Sequence, residues 1–243
     1  MRVKLTLEYD GSAYAGWQLQ ADQDSIQGHI ESALLQIFGV AVRVSAAGRT
    51  DSGVHARGQV ASALLPREFQ PADLKRALNA LLPPDIAVLA AEAAPQDFDP
   101  RRDARSRIYE YRVLNRESRS AFQFHYAWLV RGPLDLEAMR SAAREFAGEH
   151  DFAAFRTLGS EEKTTQRRVL ASDWRRARNV FCYRVEANGF LRHMVRTMVT
   201  AMVDAGHGKI ARGDIATLLT SRDRAAAPAP APACGLYLME VRY

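Results

Sequence analysis

The chain holds only two cysteines in 243 residues, Cys182 and Cys234, in unrelated contexts. Two lone thiols make neither a zinc site nor a redox pair. They are expected as packing residues in a reducing compartment. The six histidines are scattered, with no HxxH or HExxH spacing, so no metal and no cofactor is assigned. No apolar run approaches the roughly 20 residues that cross a bilayer. The opening stretch, Met1-Arg-Val-Lys-Leu-Thr-Leu-Glu-Tyr9, lacks an apolar core followed by small residues. It reads as a strand rather than a secretion signal, and the expected location is the cytoplasm. Lysine is scarce as well, confined to Lys4, Lys75, Lys163 and Lys209.

Arginine therefore supplies nearly all the positive charge. The net charge is +5, and it is unevenly spread. Residues 1–105 carry 11 Lys and Arg against 13 Asp and Glu, a net of −2; residues 106–243 carry 22 against 15, a net of +7. Arginine grips phosphate with two parallel hydrogen bonds and stacks on bases, so an arginine-rich half fits an RNA surface. On composition alone it fits ordinary solvated faces equally well. With 47% hydrophobic and 25% charged residues, the chain is an ordinary globular one, long enough for one large domain or two of ordinary size.

Val3, Leu5, Leu7 and Tyr9 alternate, as in a half-buried strand. A loop of glycines and aromatics follows, from Asp10 to Gln20. Asp24 starts a helix with Gln27 as its capping-box partner; Ile26, Ile30, Leu34 and Ile37 line one face, and Gly39 ends it. Strands are expected over Val40–Ala46 and Gly58–Leu65, a second helix from Pro71 to Leu81, and a strand over Ile86–Glu92. The first part, residues 1–105, thus reads β-α-β-β-α-β. The second, residues 106–243, opens with a strand from Arg107 to Val113 and a helical face through Leu136, Met139, Ala143 and Phe146. Two long strands are expected over Arg168–Trp174 and Asn179–Ala187, then an apolar helix over Phe190–Ala205 carrying His193 and Arg196. A short helix through Ile215, Leu218 and Leu219 precedes the final strand from Leu236. The Ala/Pro alternation of Ala225–Ala233 reads as a surface loop returning to a sheet. Two α+β units with similar element order suggest a pseudo-duplicated fold.

Four segments carry candidate chemistry. Gly48-Arg-Thr-Asp51-Ser-Gly53-Val-His55-Ala56 lies between two strands, where loops present function. Its glycines let the backbone turn around an acid, and Arg49 and Asp51, two apart, point the same way in extended chain. A plain tight turn with a surface Asp is the blander alternative. Tyr9-Asp-Gly-Ser-Ala-Tyr14-Ala-Gly-Trp17-Gln18-Leu-Gln20 offers aromatics and amides for bases and sugars, or an aromatic cluster beneath a loop. In Phe98-Asp-Pro-Arg101-Arg-Asp-Ala-Arg-Ser-Arg107-Ile-Tyr109-Glu-Tyr111, a tyrosine ring could stack on a flipped pyrimidine while arginines hold phosphates. Gly189-Phe-Leu-Arg-His193-Met-Val-Arg196 places an arginine on an otherwise apolar helix, where it needs a partner such as a carboxylate.

Taken together, YDGSAYAGWQLQ at 9–20, GRTDSGVHARGQV at 48–60, RIYEY at 107–111, HDFAAFR at 150–156, GFLRHMVR at 189–196 and APACGLYL at 231–238 resemble the tRNA pseudouridine synthase A family from end to end. The resemblance implies an α+β fold of two pseudo-duplicated RRM-like halves sharing a central antiparallel sheet, with an active-site cleft between them. It implies a homodimer that acts on tRNA without a cofactor. Carried over by position, Asp51 is the catalytic aspartate, Tyr109 stacks on the target uracil, and Arg49 helps displace the base. Arg196 ion-pairs with the catalytic carboxylate, and Leu236 walls the uridine pocket. Family members often carry Phe-His-Ala-Arg where this chain has Phe98-Asp-Pro-Arg101. The reaction implied is isomerisation of uridine to pseudouridine in the anticodon stem-loop, at positions 38, 39 and 40. Asp51 attacks the ribose or deprotonates it, and Arg101, Arg102, Arg105, Arg167 and Arg168 are candidates for holding RNA phosphates. A silent RNA-binding module and a nucleoside hydrolase are the alternatives. The first leaves the acid of the Gly48–Ala56 segment without a purpose. The second normally needs two acids or a metal.

Overall fold

The computed structural model describes residues 1–157, 164–211 and 213–243. The chain forms two compact units. One comprises Met1–Arg105 together with Tyr237–Tyr243, and the other Ser106–Leu236. The element order alone assigns everything after residue 105 to the second half. The last seven residues instead fold with the first unit, because the final strand pairs there.

The first unit runs β1 (Arg2–Tyr9), α1 (Ile26–Phe38), β2 (Val44–Ala46), β3 (His55–Leu64), α2 (Pro71–Leu81) and β4 (Ile86–Ala93). β1 lies between β4 and β3, antiparallel to both, and β2 pairs antiparallel with β3. Every second residue of β1 is buried: Val3, Leu5 and Leu7 are sealed from solvent. Ile26, Ile30 and Leu34 of α1 and Leu74 and Leu78 of α2 are likewise buried, each at the three- to four-residue spacing of one helix face. Gly39 ends α1 in the left-handed region, φ 72°, with its N–H bonded to Leu35 O. Pro71 sits in the first turn of α2, where its missing N–H costs nothing.

Three boundaries differ from expectation. α1 is capped by Ser25, whose side chain accepts from Gly28 N, so Asp24 and Gln27 do not form a capping box. Gln27 instead accepts from Leu19 N at 3.1 Å and donates to Val44 O at 3.2 Å. It ties the incoming loop and β2 to the helix rather than closing the helix on itself. β2 covers only Val44–Ala46, because pairing with β3 stops at Val44 opposite Ala63. β3 begins at His55, three residues early, because His55 and Ala56 pair in parallel with Tyr237 and Leu238 of the last strand, β10 (Leu236–Arg242).

The second unit contains β5 (Ser106–Asn115), β6 (Trp128–Val130), α3 (Leu136–Glu145), β7 (Gly148–Asp151), β8 (Gln166–Ala177), β9 (Val180–Ala187), α4 (Met194–Gly206) and α5 (Asp214–Ser221). β5, β9, β8 and β7 are antiparallel neighbours in that order, and β6 pairs in parallel with β5. β6 and β7 are not foreseen from the sequence. At three and four residues they are too short to show alternation. Trp174, Tyr183, Phe146, Phe152 and Phe155 fill the interior. Trp174 Nε1 donates to Met202 Sδ of α4 at 3.1 Å. The Ala/Pro segment does return to the fold. Tyr111 donates its hydroxyl to Pro232 O at 2.7 Å, and Gly235 lies so close to the Tyr111 ring that a Cβ there would meet Tyr111 Cζ at 2.6 Å. α4 starts at Met194, not Phe190, because His193 adopts a left-handed backbone, φ 64°, that cannot extend the helix backwards.

Both units mix helices with mostly antiparallel strands, an α+β architecture. Among the described residues, no helix is long and apolar enough to cross a membrane.

Candidate active site

The Gly48–Ala56 segment of the first unit is clasped by the Tyr9–Gln20 loop. Trp17 N donates to Thr50 O at 3.0 Å, Gly53 N to Tyr14 O at 3.4 Å, and Ser52 Oγ to Tyr14 O at 3.1 Å. Gly16 and Asp51 form an antiparallel bridge. The approach is so close that only glycine fits. At Gly16, φ +105°, a Cβ would lie 2.5 Å from Thr50 O and 2.9 Å from the Asp51 carbonyl carbon. A Cβ on Gly11 would collide with the Val54 carbonyl. The glycines of the Tyr9–Gln20 loop thus serve one purpose, bringing two backbones into contact around the acid.

Side chains finish the clasp from below. Thr50 is buried, and its Oγ1 lies 2.8 Å from Tyr9 Oη. Gln59 Nε2 donates to Gly48 O at 2.8 Å and reaches Tyr9 Oη at 3.4 Å. Burial pushes the Tyr9 phenol up to about 12, more than its bonds to Thr50 and Gln59 pull it down. His55 is buried and stacks on Tyr237, ring centroids 4.6 Å apart. Its Nδ1 lies 3.1 Å from both the Gly11 amide and Asp10 Oδ1. The backbone fixes the direction of the Gly11 N–H, so Nδ1 accepts that bond when it carries no proton. A proton on Nδ1 would be donated to Asp10 Oδ1 instead. Because Thr50 points inward, the alternating backbone turns its neighbours outward. Arg49 is exposed and Asp51 half-buried. Asp51 is thus carried, half-buried, on backbone pinned by these hydrogen bonds.

The turn at Phe98–Asp103, also in the first unit, holds the departure from the family pattern. The Asp99 carboxylate accepts from Arg101 N and Arg102 N, each at 2.8 Å, and these amides draw its pKa down. Pro100 O accepts from Tyr243 Oη at 2.9 Å. The Asp99 carboxylate thus caps its own turn. Arg102 is engaged with Asp103 Oδ1 at 3.0 Å and Asp97 O at 2.9 Å. Arg105 N donates to Arg242 O at 2.7 Å, fixing its backbone on β10.

The remaining candidates belong to the second unit. Tyr109, on β5 opposite Val185, is 9% exposed, and its ring meets Phe190 edge-on at 5.1 Å. Two of the singled-out segments are thereby in contact, RIYEY and GFLRHMVR. Arg196, in the first turn of α4, donates from Nε to Ala231 O at 2.6 Å, and its backbone carbonyl accepts from Ala231 N at 3.1 Å. It clips the Ala/Pro segment to the helix. Leu236 is buried at the start of β10. Arg167 and Arg168 sit at the start of β8, with Arg168 N and O both bonded to Asn188. Arg167 Nη1 donates to Thr164 O and Gln166 O at 2.9 and 2.6 Å. The structure therefore groups Arg49 with Asp51, Arg101 and Arg102 on one turn, Tyr109 with Phe190, and Arg167 with Arg168. These groups divide between the two units.

The sequence does not mark Thr50, Gln59 and His193 as supports. Parity holds the missing signal for Thr50: if Arg49 and Asp51 face out, the residue between them must face in. His193 has no such signal. It caps α4 from a left-handed conformation while its Nδ1 lies 2.7 Å from Thr157 Oγ1. Such strain in a residue with a Cβ persists only where neighbours hold it, and here Thr157 and Arg192 do, the latter accepting from Thr157 N at 3.1 Å.

A tRNA pseudouridine synthase family model matches residues 6–103 and 142–243. The chain is similar to the tRNA pseudouridine synthase A of Pelobacter propionicus, 44% identical over 99% of each chain. It is 45% identical to that of Myxococcus xanthus, over 100% of this chain and 92% of the relative. It is also 45% identical to that of Geobacter sulfurreducens, over 99% of each. Segments that the sequence singled out, an acid on a loop pinned by backbone hydrogen bonds, and matches along nearly the whole chain agree: the chain belongs to the tRNA pseudouridine synthase family.

Proposed function

We propose that the protein isomerises uridine to pseudouridine in the anticodon stem-loop of tRNA, at positions 38, 39 and 40, with Asp51 as its catalytic carboxylate. The observation that carries this reading is the clasp around Asp51. A reaction at a sugar carbon needs a carboxylate already in place before the substrate arrives. A loop fixed by Trp17, Gly53 and Gly16 supplies one at the surface.

The uridine leaves its stack, at a cost that is smallest in a loop or at a stem end. Asp51 then either adds to the anomeric carbon or takes a proton from its neighbour. The C1′–N1 bond breaks, with its electron pair leaving on uracil. The uracil turns, and C5 bonds to C1′ as the Asp51–C1′ ester bond breaks or as Asp51 returns its proton to C2′; the C5 proton then departs and N1 takes up a proton. Fixed donors suffice to stabilise a uracil anion. Tyr109 stacks on the base, Arg49 helps displace it, Leu236 walls the pocket and Arg196 is the cation for the carboxylate. Arg101, Arg102, Arg105, Arg167 and Arg168 hold phosphates. The homodimer, the cytoplasmic location and the doubled RRM-like arrangement implied by the resemblance belong to the same proposal.

The test is tritium release from unmodified tRNA carrying [5-³H]uridine, with wild type and Asp51→Asn side by side. The expected result is release by wild type alone, with pseudouridine mapped to the anticodon arm. Absence of release by folded wild type across a full tRNA pool overturns the reading. Release of free uracil instead points to hydrolysis.

A further inference from the structure

Residues 116–127, between β5 and β6 in the second unit, form a loop that the proposed chemistry does not use. It turns its rings outward. Phe122 is 91% exposed, Phe124 65% and Tyr126 39%. Rings left in water at this density mark a surface that is covered in use.

The loop is braced rather than slack. Arg116 donates from Nε to Ser118 O at 2.6 Å and from Nη2 to Arg119 O at 2.5 Å. Arg131 Nε donates to Glu117 O at 3.0 Å. Ser120 Oγ accepts from Gln123 N at 3.2 Å, and Tyr126 N and Ala127 N both donate to Gln123 O. Phe124 meets the His125 ring edge-on at 4.6 Å. These bonds fix the backbone that carries the rings, so less freedom is lost when something stacks on them.

Chemistry selects the occupant. From Arg116 to Ala127 there is no aliphatic side chain larger than alanine. Arg116, Arg119 and Arg131 accompany a single acid, Glu117, whose Oε1 accepts from Gly132 N at 3.3 Å. A second copy of the chain, itself at net charge +5, would meet these arginines with like charge. Flat rings with cations and no aliphatics fit nucleobases and phosphates. We infer that the Phe122–Tyr126 loop is a stacking platform for unpaired bases of the RNA substrate, with Arg119 on the adjoining phosphate. The inference rests on the reading of that substrate as tRNA, and it adds a contact on a different unit from Asp51.

Affinity for an end-labelled, unmodified tRNA transcript is measured by fluorescence anisotropy across a salt series. The full chain is used, with Phe122→Ala/Phe124→Ala, Phe122→Tyr/Phe124→Tyr and Arg119→Gln. The alanine pair is expected to weaken binding about ten- to a hundredfold at every salt, without changing the slope of log K against log salt, since stacking releases no counterions. The tyrosine pair keeps wild-type affinity. Arg119→Gln shifts the slope by about 0.7–0.9, one phosphate contact. Wild-type affinity in a folded alanine pair overturns the inference. So does loss of a wild-type dimer by that pair in sedimentation, which would make the loop a face between copies. Ring-dependent binding by a wild type that makes no pseudouridine leaves the platform standing and removes the isomerase reading alone.

Discussion

Two loops of this molecule show opposite ways of making a surface rigid. The Gly48–Ala56 loop is fixed by what its neighbours lack. Gly11 and Gly16 have no Cβ, so one backbone lies directly against another and main-chain bonds such as Trp17 N to Thr50 O close the gap. The 116–127 loop is fixed by what it carries. Arginine side chains from within and beside it bond its carbonyls, and the rings are left to solvent. A backbone clasp suits a group that must sit in one place. A side-chain brace suits a surface that must stay open. The two should therefore respond to substitution in opposite ways: the first through stability and turnover, the second through binding.

The largest effect is expected at Gly11. A methyl there meets the Val54 carbonyl, which is backbone and cannot swing aside. Gly11→Ala is expected to cost about 3 kcal/mol or more of unfolding free energy in urea titration, at or beyond the upper end for overpacking. Gly16→Ala combines a collision at Thr50 O with a φ of +105°, and about 2–3 kcal/mol is expected. Its informative readout is kinetic. If the clasp positions Asp51, pseudouridine formation by the remaining folded enzyme should show kcat down about 10- to 100-fold with little change in KM. Unchanged kcat in a destabilised Gly16→Ala would mean that the clasp serves folding only.

Tyr9 sharpens the comparison from beneath the same loop. Tyr9→Phe removes a buried hydroxyl shared with Thr50 and Gln59, and about 1–2 kcal/mol should be lost at neutral pH. The balance changes in alkali. The folded phenol, raised from 10.0 to about 12, contributes stability that is whole below pH 10 and lost as pH rises through about 12. A rise of that size corresponds to about 2–3 kcal/mol at most. The gap between wild type and Tyr9→Phe should therefore shrink from pH 10 upward and close by about pH 12. A gap constant across that window would show that Tyr9 ionises as freely folded as unfolded.

The same comparison explains what could be read from the sequence. Elements with a long period were legible: the alternation of Val3, Leu5 and Leu7, the faces of α1 and α2, the hairpin of β8 and β9. So was the Gly48–Ala56 string as a loop between two strands, because glycines punctuate it. What escaped depends on partners far along the chain. Ser25 rather than Asp24 caps α1, while Asp24 pairs with His29 and Gln27 bonds Leu19 and Val44. β3 starts at His55 because β10, far along the chain, pairs there. His193 leaves α4 because its backbone is left-handed, beside a Thr157 contact 36 residues away. Periodicity records a residue's face. It does not record which distant backbone will claim a hydrogen bond.

The smallest effect is expected where the side chains are largest. Phe122 and Phe124 fill no cavity, so truncating both to alanine removes no core packing. Exposed substitutions away from caps and buried networks usually fall within about 0.5 kcal/mol. The braces at Arg116, Ser120 and Arg131 all act on backbone atoms and survive the change. Urea denaturation of Phe122→Ala/Phe124→Ala should thus overlay wild type, with the same midpoint and slope. A midpoint lowered by more than that would mean the rings pack on something within the fold, and the loop would join the Asp51 clasp as a structural element. An unchanged midpoint beside weakened tRNA binding would separate the two loops cleanly, one using its residues for position and the other for contact.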